Sequence, residues 1–334
     1  MYILITGCGG FIGFHLTLRL LKNNKKIRII GIDNLNSFYS KKLKDERVKI
    51  LKKNSRFKFI KFDLINKKKL SDTFIKYKFK YVVHLAAQAG VRYSLKNPIS
   101  YVNSNLLGFI NILEACRHNK SKHLIYASSS SVYGGNEKIP YSETDQVNHP
   151  ISLYAATKKS NELMAHSYSN LYKLPTTGLR FFTVYGPWGR PDMALFKFTK
   201  NMLENKSIDI FNYGNHSRDF TYIDDITKNI TKLISKIPKK NNKKKLYPNT
   251  SNCPFRIVNI GNSKQQKLMQ FIKYLEEILK IKSKKNYLSL QKGDVKNTLS
   301  DTSLLQKLNG KTKPYSTKKG IHQFVEWYKS YYNK

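Results

Sequence analysis

Residues 2–13 read YILITGCGGFIG, a short apolar run that leads directly into glycines spaced as G-x-x-G-x-x-G. The apolar run predicts a buried strand, and the residues that follow Gly10 predict the start of a helix. Gly7, Gly10 and Gly13 would allow a tight turn, close approach of the backbone to a pyrophosphate, and close packing of helix on strand. The stretch therefore predicts a dinucleotide site, with the N–H groups of the helix N-terminus directed at the phosphates.

Two acidic residues extend this prediction. Asp33 lies 20 residues after Gly13, at the end of the next predicted strand. A carboxylate at that place accepts hydrogen bonds from the adenosine ribose and repels a 2′-phosphate, which favours NAD over NADP. Asp63 ends the third predicted strand and fits either a contact with the adenine or a simple cap of the strand end.

The rest of the chain alternates short apolar runs with longer amphipathic segments, the pattern of parallel βαβ units. It predicts an α/β fold, a doubly wound parallel sheet followed by a smaller C-terminal α+β lobe. A segment rich in Lys, Asn and Pro, residues 237–252, is expected to be an exposed and mobile insertion. Strands are predicted at 2–6, 28–33, 57–63, 81–86, 123–128, 177–181 and 256–260, and helices at 10–22, 101–119, 154–172, 195–204 and 324–332.

Charge is the unusual feature of the composition. The 334 residues carry a formal net charge of +40, which would normally suggest nucleic acid or an anionic membrane as a partner. Residues 126–225 are nevertheless neutral, with ten basic and ten acidic side chains, and the excess lies in lysine tracts elsewhere. Because no helix-turn-helix, ribonucleoprotein motif or zinc finger accompanies these tracts, we interpret them as a solvated surface and expect no specific nucleic-acid partner.

Other simple features exclude further classes. No apolar run approaches the roughly 18 residues of a membrane span, so we expect no membrane span and a cytoplasmic protein. Cys8, Cys116 and Cys253 are odd in number and far apart, which fits neither a disulfide framework nor a zinc site. No metal is expected.

A tyrosine–lysine pair supplies the candidate chemistry. Tyr154 and Lys158 lie at i and i+4, on one face of a predicted helix. A lysine ammonium beside a phenol favours the phenolate, and the positive nicotinamide of NAD would add to this, so we predict a Tyr154 pKa lowered from about 10 towards neutrality. Such a tyrosine can accept a proton from a sugar hydroxyl. The serines at 128–131 follow a predicted strand at the sheet edge where ligands bind.

With these motifs in place, the sequence resembles the extended short-chain dehydrogenases/reductases that act on nucleotide sugars. Within them it is similar to the UDP-glucuronate 4-epimerases. Besides the glycine loop and the serine run, the resemblance rests on HLAA at 84–87, AAQAGVRYS at 86–94, LYAATKK at 153–159, LRFFTVYGPWGRPDM at 179–193 and RDFTYIDD at 218–225.

The resemblance implies a fold and an assembly. Residues 1–182 and about 218–262 would form an NAD-binding Rossmann domain, and about 183–217 and 263–334 a lobe that binds the sugar nucleotide. It also implies tightly held NAD, a UDP-sugar substrate and a homodimer built by the helices that begin near Tyr101 and Tyr154. The product would supply surface polysaccharide synthesis.

The resemblance also implies roles for individual residues. Tyr154 would be the acid/base, Lys158 its modulator and a ribose ligand, and Ser129 the partner of the reacting hydroxyl. Arg190 would meet a uronate carboxylate, and Arg218 the diphosphate. The remaining substrate contacts would be Ser128, Ser130, Thr183 and Asp294. Lys292 is unusual beside Asp294. The cofactor contacts would be Gly7, Gly10, Phe11, Ile12, Gly13, Asp33, Asn34, Asp63, Leu64, Leu85, Ala86, Ala87, Tyr154 and Lys158.

The implied reaction is a 4-epimerisation of UDP-glucuronic acid to UDP-galacturonic acid through a transient 4-keto sugar. Positions 130–132 hold Ser130, Ser131 and Val132, with no acid to support dehydration or decarboxylation. A 4-epimerase of a neutral UDP-hexose, UDP-glucose or UDP-N-acetylglucosamine, is the nearest alternative, since only Arg190 and its loop favour a carboxylate. A non-catalytic NAD-binding regulator remains a third hypothesis, and an electrostatic role of the basic surface a fourth.

Overall fold

The computed structural model describes residues 1–241 and 246–334. Each of the predicted strands is present, with bounds shifted by at most two residues. The strands are β1 (Tyr2–Thr6), β2 (Arg28–Asp33), β3 (Phe57–Lys61), β4 (Tyr81–His84), β5 (His123–Ser129), β6 (Thr176–Phe181), β7 (Thr183–Tyr185), β8 (Ile208–Phe211), β9 (Ser217–Tyr222), β10 (Phe255–Ile260), β11 (Gln265–Lys267) and β12 (Lys285–Leu288).

The predicted helices are also present, with one interruption. The single helix predicted over 101–119 is a π-helical stretch, Val102–Leu107, followed by an α-helix. The α-helices are α1 (Phe11–Asn23), α2 (Lys41–Lys52), α3 (Lys67–Tyr77), α4 (Val91–Lys96), α5 (Pro98–Tyr101), α6 (Gly108–His118), α7 (Leu153–Tyr172), α8 (Ala194–Leu203), α9 (Ile223–Ile234), α10 (Leu268–Leu279), α11 (Ser303–Asn309) and α12 (Thr317–Tyr332).

The large sheet places the functional loops. Its order is β10-β6-β5-β4-β1-β2-β3, and every neighbouring pair is parallel. The strands are nearly continuous apolar runs because helices cover both faces, and all six residues of β10 are buried. The chain reverses its direction of winding between β1 and β4, and ligands bind outside the carboxyl ends of strands at such a switch point. The α/β doubly wound fold is confirmed.

The C-terminal lobe is built on two small sheets. One has the order β11-β9-β7, and the other pairs β12 with β8. Aromatic side chains of α12 fill its core, where Phe324 and Trp327 pack against Phe196 of α8. One hydrophobic core runs from β1 and α1 into this lobe, so the lobe packs directly against the large sheet and its helices.

Parts of the sequence-based description remain predictions. The division into 1–182 with 218–262 and 183–217 with 263–334 is one, although β10 lies in the large sheet and β9 in the small one. The insertion expected at 237–252 includes 242–245, outside the described residues; of its other residues, Lys239 and Lys240 are exposed but Asn249 and Ser251 are buried. Within the described part of the chain, no helix is both long and apolar enough to cross a membrane.

Candidate active site

The glycine loop after β1 has the geometry that its sequence predicts. Gly7 has a φ of +73°, a conformation that favours glycine. A Cβ on Gly7 would lie 2.7 Å from the backbone nitrogen of Ala86, and one on Gly13 would lie 2.1 Å from the Gly7 carbonyl oxygen. Helix α1 begins at Phe11 without a side-chain cap on Gly10. The first N–H groups of α1, at Phe11, Ile12 and Gly13, therefore remain available to an anion at the loop.

Asp33 is held at the end of β2 by this loop. Its carboxylate accepts hydrogen bonds from the N–H of Gly9 at 3.0 Å and the N–H of Leu35 at 2.8 Å. Burial raises the pKa of Asp33, and these backbone donors together with Lys44 lower it in part. A carboxylate has about four acceptor positions, so Asp33 retains the capacity to accept further hydrogen bonds from a ribose.

The other predicted adenine contacts lie beside Asp33. Asn34 donates a hydrogen bond of 2.7 Å to the Asp63 carboxylate, which also caps the N–H of Ile65 at 3.1 Å. Leu64 is buried against the core of α3 and α6. Asp63 thus makes the capping contact and also lies next to Asn34. The geometry is compatible with both predicted roles of Asp63, a cap of the strand end and a contact with the adenine.

The loop after β4 closes the other side of the site. The Thr6 hydroxyl accepts from the Ala86 N–H at 3.2 Å and lies 2.8 Å from Nδ1 of His84. Burial and the nearby Lys158 lower the pKa of His84 to about 3, so this imidazole is neutral and structural. The three residues after His84 are half-buried, and the backbone of the first two lies against Gly7 of the glycine loop. They are Leu85, Ala86 and Ala87.

Asn105 is a site-supporting residue that sequence reasoning missed. It lies in the π-helical stretch, and its side-chain amide bonds both the N–H and the carbonyl of Gln88, at 2.8 and 3.0 Å. The same amide donates to the Thr157 hydroxyl at 3.0 Å, between Tyr154 and Lys158 on α7. π-Helical insertions often occur at functional sites. Asn105 fixes the loop after β4 to the helix that carries the tyrosine–lysine pair.

Tyr154, Lys158 and Ser129 meet at the carboxyl end of β5. Lys158 is 2% exposed and donates from Nζ to the Ala127 carbonyl at 2.9 Å. Ser129 ends β5, accepts from the Ser131 N–H at 3.1 Å, and hydrogen-bonds the Tyr154 phenol. The three predicted catalytic residues are therefore brought together, and their roles remain a proposal.

The predicted lowering of the Tyr154 pKa is wrong for the protein without its cofactor. Burial raises the pKa of Tyr154, and the Ser129 hydrogen bond and the charge of Arg190 offset this only in part. Burial also lowers the pKa of Lys158 to about 7. Because Lys158 donates its hydrogen bond to the Ala127 carbonyl, it stabilises the Tyr154 phenolate less than the i, i+4 spacing predicts.

The serine run divides between the interior and the site. The hydroxyl of Ser128 donates to the Glu162 carboxylate at 2.7 Å, and Glu162 in turn forms two hydrogen bonds of 2.9 Å with Arg180. Ser128 is 2% exposed and its hydroxyl proton is donated to Glu162, so it belongs to a buried ion-pair network, and its predicted contact with the substrate stays a prediction. Ser130 begins a short 3₁₀ turn and is half-buried. Its predicted contact with the substrate stays a prediction.

Arg190 lies near Tyr154 but is not a free cation. Its Nε and Nη2 bond both carboxylate oxygens of Asp192, at 3.0 and 2.6 Å. Burial opposes the charged guanidinium, and Asp192 outweighs burial, so the pKa of Arg190 lies above its usual value. Sequence reasoning assigned Arg190 to a uronate carboxylate and did not name Asp192 as its partner, although opposite charges two residues apart in Arg190-Pro191-Asp192 were a signal. Thr183, at the start of β7, is half-buried.

Arg218 and Asp294 are brought together in the C-terminal lobe. Nη2 of Arg218 donates to Asp294 at 2.9 Å, and Nη1 donates to the Lys296 carbonyl at 2.8 Å. A Cβ on Gly293, whose φ is +77°, would lie 3.2 Å from Val91 and 3.5 Å from the carbonyl oxygen of Ile151. The turn around Asp294 therefore packs onto α4 and the chain just before α7, the helix that carries Tyr154.

These observations test whether the site fits a dinucleotide. The glycine loop leaves a cradle that a Cβ would fill, next to an uncapped helix N-terminus and an acidic strand end. The residues present fit a bound NAD.

Comparison with known proteins agrees with this geometry. The chain is 45% identical over 338 residues to the probable UDP-glucuronate 4-epimerase of Rhizobium meliloti, across 100% of this chain and 98% of that protein. It is similar to the crystal structure of the UDP-glucuronic acid 4-epimerase of Bacillus cereus with UDP-glucuronic acid and NAD, with a TM-score of 0.89, 37% identity, and coverage of 99% of this chain and 100% of that one.

A neutral-sugar enzyme is a more distant match. The UDP-glucose 4-epimerase of Thermotoga maritima, solved with UDP-glucose, gives a TM-score of 0.85 at 29% identity, with 99% of this chain and 100% of that chain covered. Residues 3–261 match the NAD dependent epimerase/dehydratase family. Because this match spans most of the chain and includes the glycine loop, the serine run and the tyrosine–lysine pair, the protein belongs to the NAD-dependent epimerase/dehydratase family.

Proposed function

We propose that the chain is an NAD-dependent 4-epimerase that interconverts UDP-glucuronic acid and UDP-galacturonic acid. The observation that carries this proposal is the meeting of Ser129, Tyr154 and the Arg190 guanidinium beside the glycine loop. An acid/base residue and a carboxylate partner thus lie on one side of a cofactor site. A non-catalytic regulator would not need this arrangement, which argues against that hypothesis.

The chain's own residues would hold the cofactor. The loop at Gly7, Gly10 and Gly13 with the N-terminus of α1 accommodates the pyrophosphate, and Asp33 accepts hydrogen bonds from the ribose. Lys158 lies where it can bind the second ribose while it keeps its bond to Ala127. When bound, NAD accepts a hydride from C4 of the sugar and returns it.

Tyr154 performs the proton transfer in this proposal. It takes the proton of the sugar 4-hydroxyl during oxidation and returns it after the 4-keto sugar has turned over in the pocket. Because burial raises the pKa of the phenol, its ionised form depends on the Ser129 hydrogen bond and the positive charge of Arg190. Ser129 also orients the reacting hydroxyl, which keeps proton and hydride transfer in line.

Arg190 and Arg218 bind the charged ends of the substrate. Asp192 occupies the Nε–Nη2 edge of Arg190, which leaves the Nη1 N–H groups to a uronate carboxylate. That hydrogen bonding would hold the carboxylate geometry of a 4-keto intermediate that can otherwise lose carbon dioxide. Arg218, fixed by Asp294, would bind the diphosphate, and Thr183 and Ser130 would contact the sugar.

A neutral UDP-hexose is the second candidate substrate. The observation in its favour is the Arg190–Asp192 ion pair, since a guanidinium already paired with a carboxylate attracts a uronate less strongly. The same fold and the same acid/base residues would perform that reaction unchanged.

The assembly and cellular role are further proposals. Large apolar side chains are exposed on one set of neighbouring helices, which fits the predicted homodimer. They belong to α4, α5, the π-helical stretch and α7, and are Leu95, Ile99, Val102, Leu107, Leu163 and Leu171. Leu163→Glu, on α7, should convert a dimer to a monomer in light scattering. A cytoplasmic location and a supply of surface polysaccharide synthesis stay predictions.

Proton NMR of the purified protein with UDP-glucuronic acid and no added cofactor tests the proposal. Appearance of UDP-galacturonic acid would support it and would show that NAD remains bound after purification. A pentose product would instead mean decarboxylation. No change with the uronate, followed by turnover of UDP-glucose or UDP-N-acetylglucosamine, would favour the second candidate.

A further inference from the structure

Arg47 is a fully buried arginine that the proposed reaction does not use. It lies on α2 and is 0% exposed. Its Nη1 donates to the Gly9 carbonyl at 2.9 Å and to the Tyr39 hydroxyl at 2.8 Å. Its Nη2 donates to the carbonyls of Trp188 at 2.6 Å and Gly189 at 3.3 Å. Within the described residues no carboxylate forms an ion pair with it. Four neutral oxygens accept its hydrogen bonds, and the Asp33 carboxylate attracts its charge without direct contact.

The acceptors of Arg47 belong to two loops that are far apart in sequence. Gly9 is part of the glycine loop of the dinucleotide site, and Trp188 and Gly189 directly precede Arg190. One planar guanidinium therefore spans the cofactor loop and the loop that carries the predicted carboxylate partner. A lysine ammonium could not reproduce this, since its three donors radiate from a single nitrogen.

Other contacts hold the same turn, which indicates that its position matters. His15 of α1 lies with Nε2 2.9 Å from the Pro187 carbonyl, and burial lowers the pKa of this imidazole to about 4. Trp188 has a left-handed φ of +59° and packs against Trp327 and Tyr331 of α12. Non-glycine residues keep such a conformation only where their surroundings fix it.

We propose that Arg47 is a positioning residue that sets the distance of Arg190 from the dinucleotide loop and thereby the preference for a uronate over a neutral sugar. This inference rests on the proposed function. Arg190 reaches the pocket from a turn whose last two carbonyls before it are bound by Arg47, while Asp192 fixes only the guanidinium end. A shift of that turn would move the Nη1 groups away from the carboxylate and leave the rest of the UDP-sugar site in place.

Arg47→Lys tests this inference against a matched control. Arg56 also donates to two backbone carbonyls, those of Asn24 and Leu21, each at 2.6 Å, but at the opposite end of α1. Arg56→Lys therefore removes comparable bonds far from the site. Both substitutions are made in a Tyr154→Phe background, so that binding of UDP-glucuronic acid and UDP-glucose can be measured by calorimetry without turnover.

We expect Arg47→Lys to raise the Kd of UDP-glucuronic acid about tenfold, the loss of one charge-assisted hydrogen bond, with the Kd of UDP-glucose changed less than about twofold. Arg56→Lys should change neither. In the active background, Arg47→Lys should also raise the fraction of pentose product. Equal weakening of both ligands, or no change in either, would overturn the inference and leave Arg47 a structural residue.

A second variant guards against a folding defect. His15→Phe removes the bond to the Pro187 carbonyl and loosens the same turn from α1 without touching the buried charge. Like Arg47→Lys, it should raise the Kd of UDP-glucuronic acid more than the Kd of UDP-glucose. An equal rise of both Kd values would count against the inference. Failure of the proposed function is measured separately, because the wild-type protein would then not epimerise UDP-glucuronic acid at all.

Discussion

Gly13→Ala should remove the cofactor from the protein while leaving it folded. The Cβ would lie 2.1 Å from the Gly7 carbonyl oxygen, 2.8 Å from its carbon and 3.0 Å from Cα of Cys8. All three are backbone atoms, so no flexible side chain can give way. Helix α1 must therefore move from the loop by at least 0.9 Å, the shortfall from the 3.0 Å that Cβ contacts keep.

The size of that shift decides the effect on NAD. Hydrogen bonds of about 2.9 Å from the first turn of α1 to a phosphate would lengthen to about 3.8 Å, beyond the range of a real hydrogen bond. Loss of two such bonds to a charged group weakens binding by roughly 3 kcal/mol or more, a factor of at least about 10². The overpacking itself costs about 1–3 kcal/mol of folding stability.

The assay is the amount of NAD released on denaturation of purified protein, with the melting temperature measured beside it. Gly135→Ala is the control, because its Cβ would find only ordinary contacts of 3.7 Å with His149. We expect the control to retain the wild-type amount of NAD and the Gly13 variant to retain almost none. Stoichiometric NAD in the Gly13 variant would refute the argument from backbone contact.

Three further predictions follow from the site. Tyr154→Phe should lower kcat by about 10²-fold or more while NAD stays bound, and retained turnover would exclude Tyr154 as the acid/base. Arg190→Ala should raise the KM of UDP-glucuronic acid about tenfold and leave the KM of UDP-glucose unchanged. An unaltered KM of UDP-glucuronic acid would favour a neutral UDP-hexose as the substrate. Glu162→Gln leaves Arg180 buried without its carboxylate and should cost about 3–5 kcal/mol in urea unfolding, against about 0.5 kcal/mol or less for the exposed Asp45→Asn. Because Arg180 lowers the pKa of Glu162 despite burial, the wild type should lose this stabilisation as the pH falls below about 4, and the variant should not.

The fold was predictable because its signals are local. Parallel strands covered on both faces are apolar along their length, so β1, β2 and β10 appear in the sequence within a residue of their bounds. The glycine loop is equally local, since three glycines at intervals of three residues, Gly7, Gly10 and Gly13, determine the turn. The predicted catalytic residues Tyr154, Lys158 and Ser129 come together because helix spacing and the end of a strand place them.

The supporting contacts were not predictable in the same way. Asn105 bonds Gln88 and Thr157, which are 17 and 52 residues away, and no local pattern records such a pairing. Alternation along β5 requires Ser128 and Ser129 to face opposite sides but does not say which one faces the ligand. Arg47 lies in α2, a helix rich in lysine. The sequence signal for its burial is its position four residues from both Leu43 and Leu51, which are buried.

The charges of the site suggest how it is prepared for its ligand. Lys158 is bound to a carbonyl, Arg190 to Asp192, Arg218 to Asp294, and Arg47 to backbone and hydroxyl oxygens. Each cation is thus fixed in place before the ligand arrives, which reduces the entropy lost when it binds. The paired carboxylates also reduce the attraction for an anionic ligand, so affinity depends on geometry more than on net charge. We therefore expect a shift of Arg190 to affect ligand binding more than a change in the exposed lysines that give the chain its +40 charge.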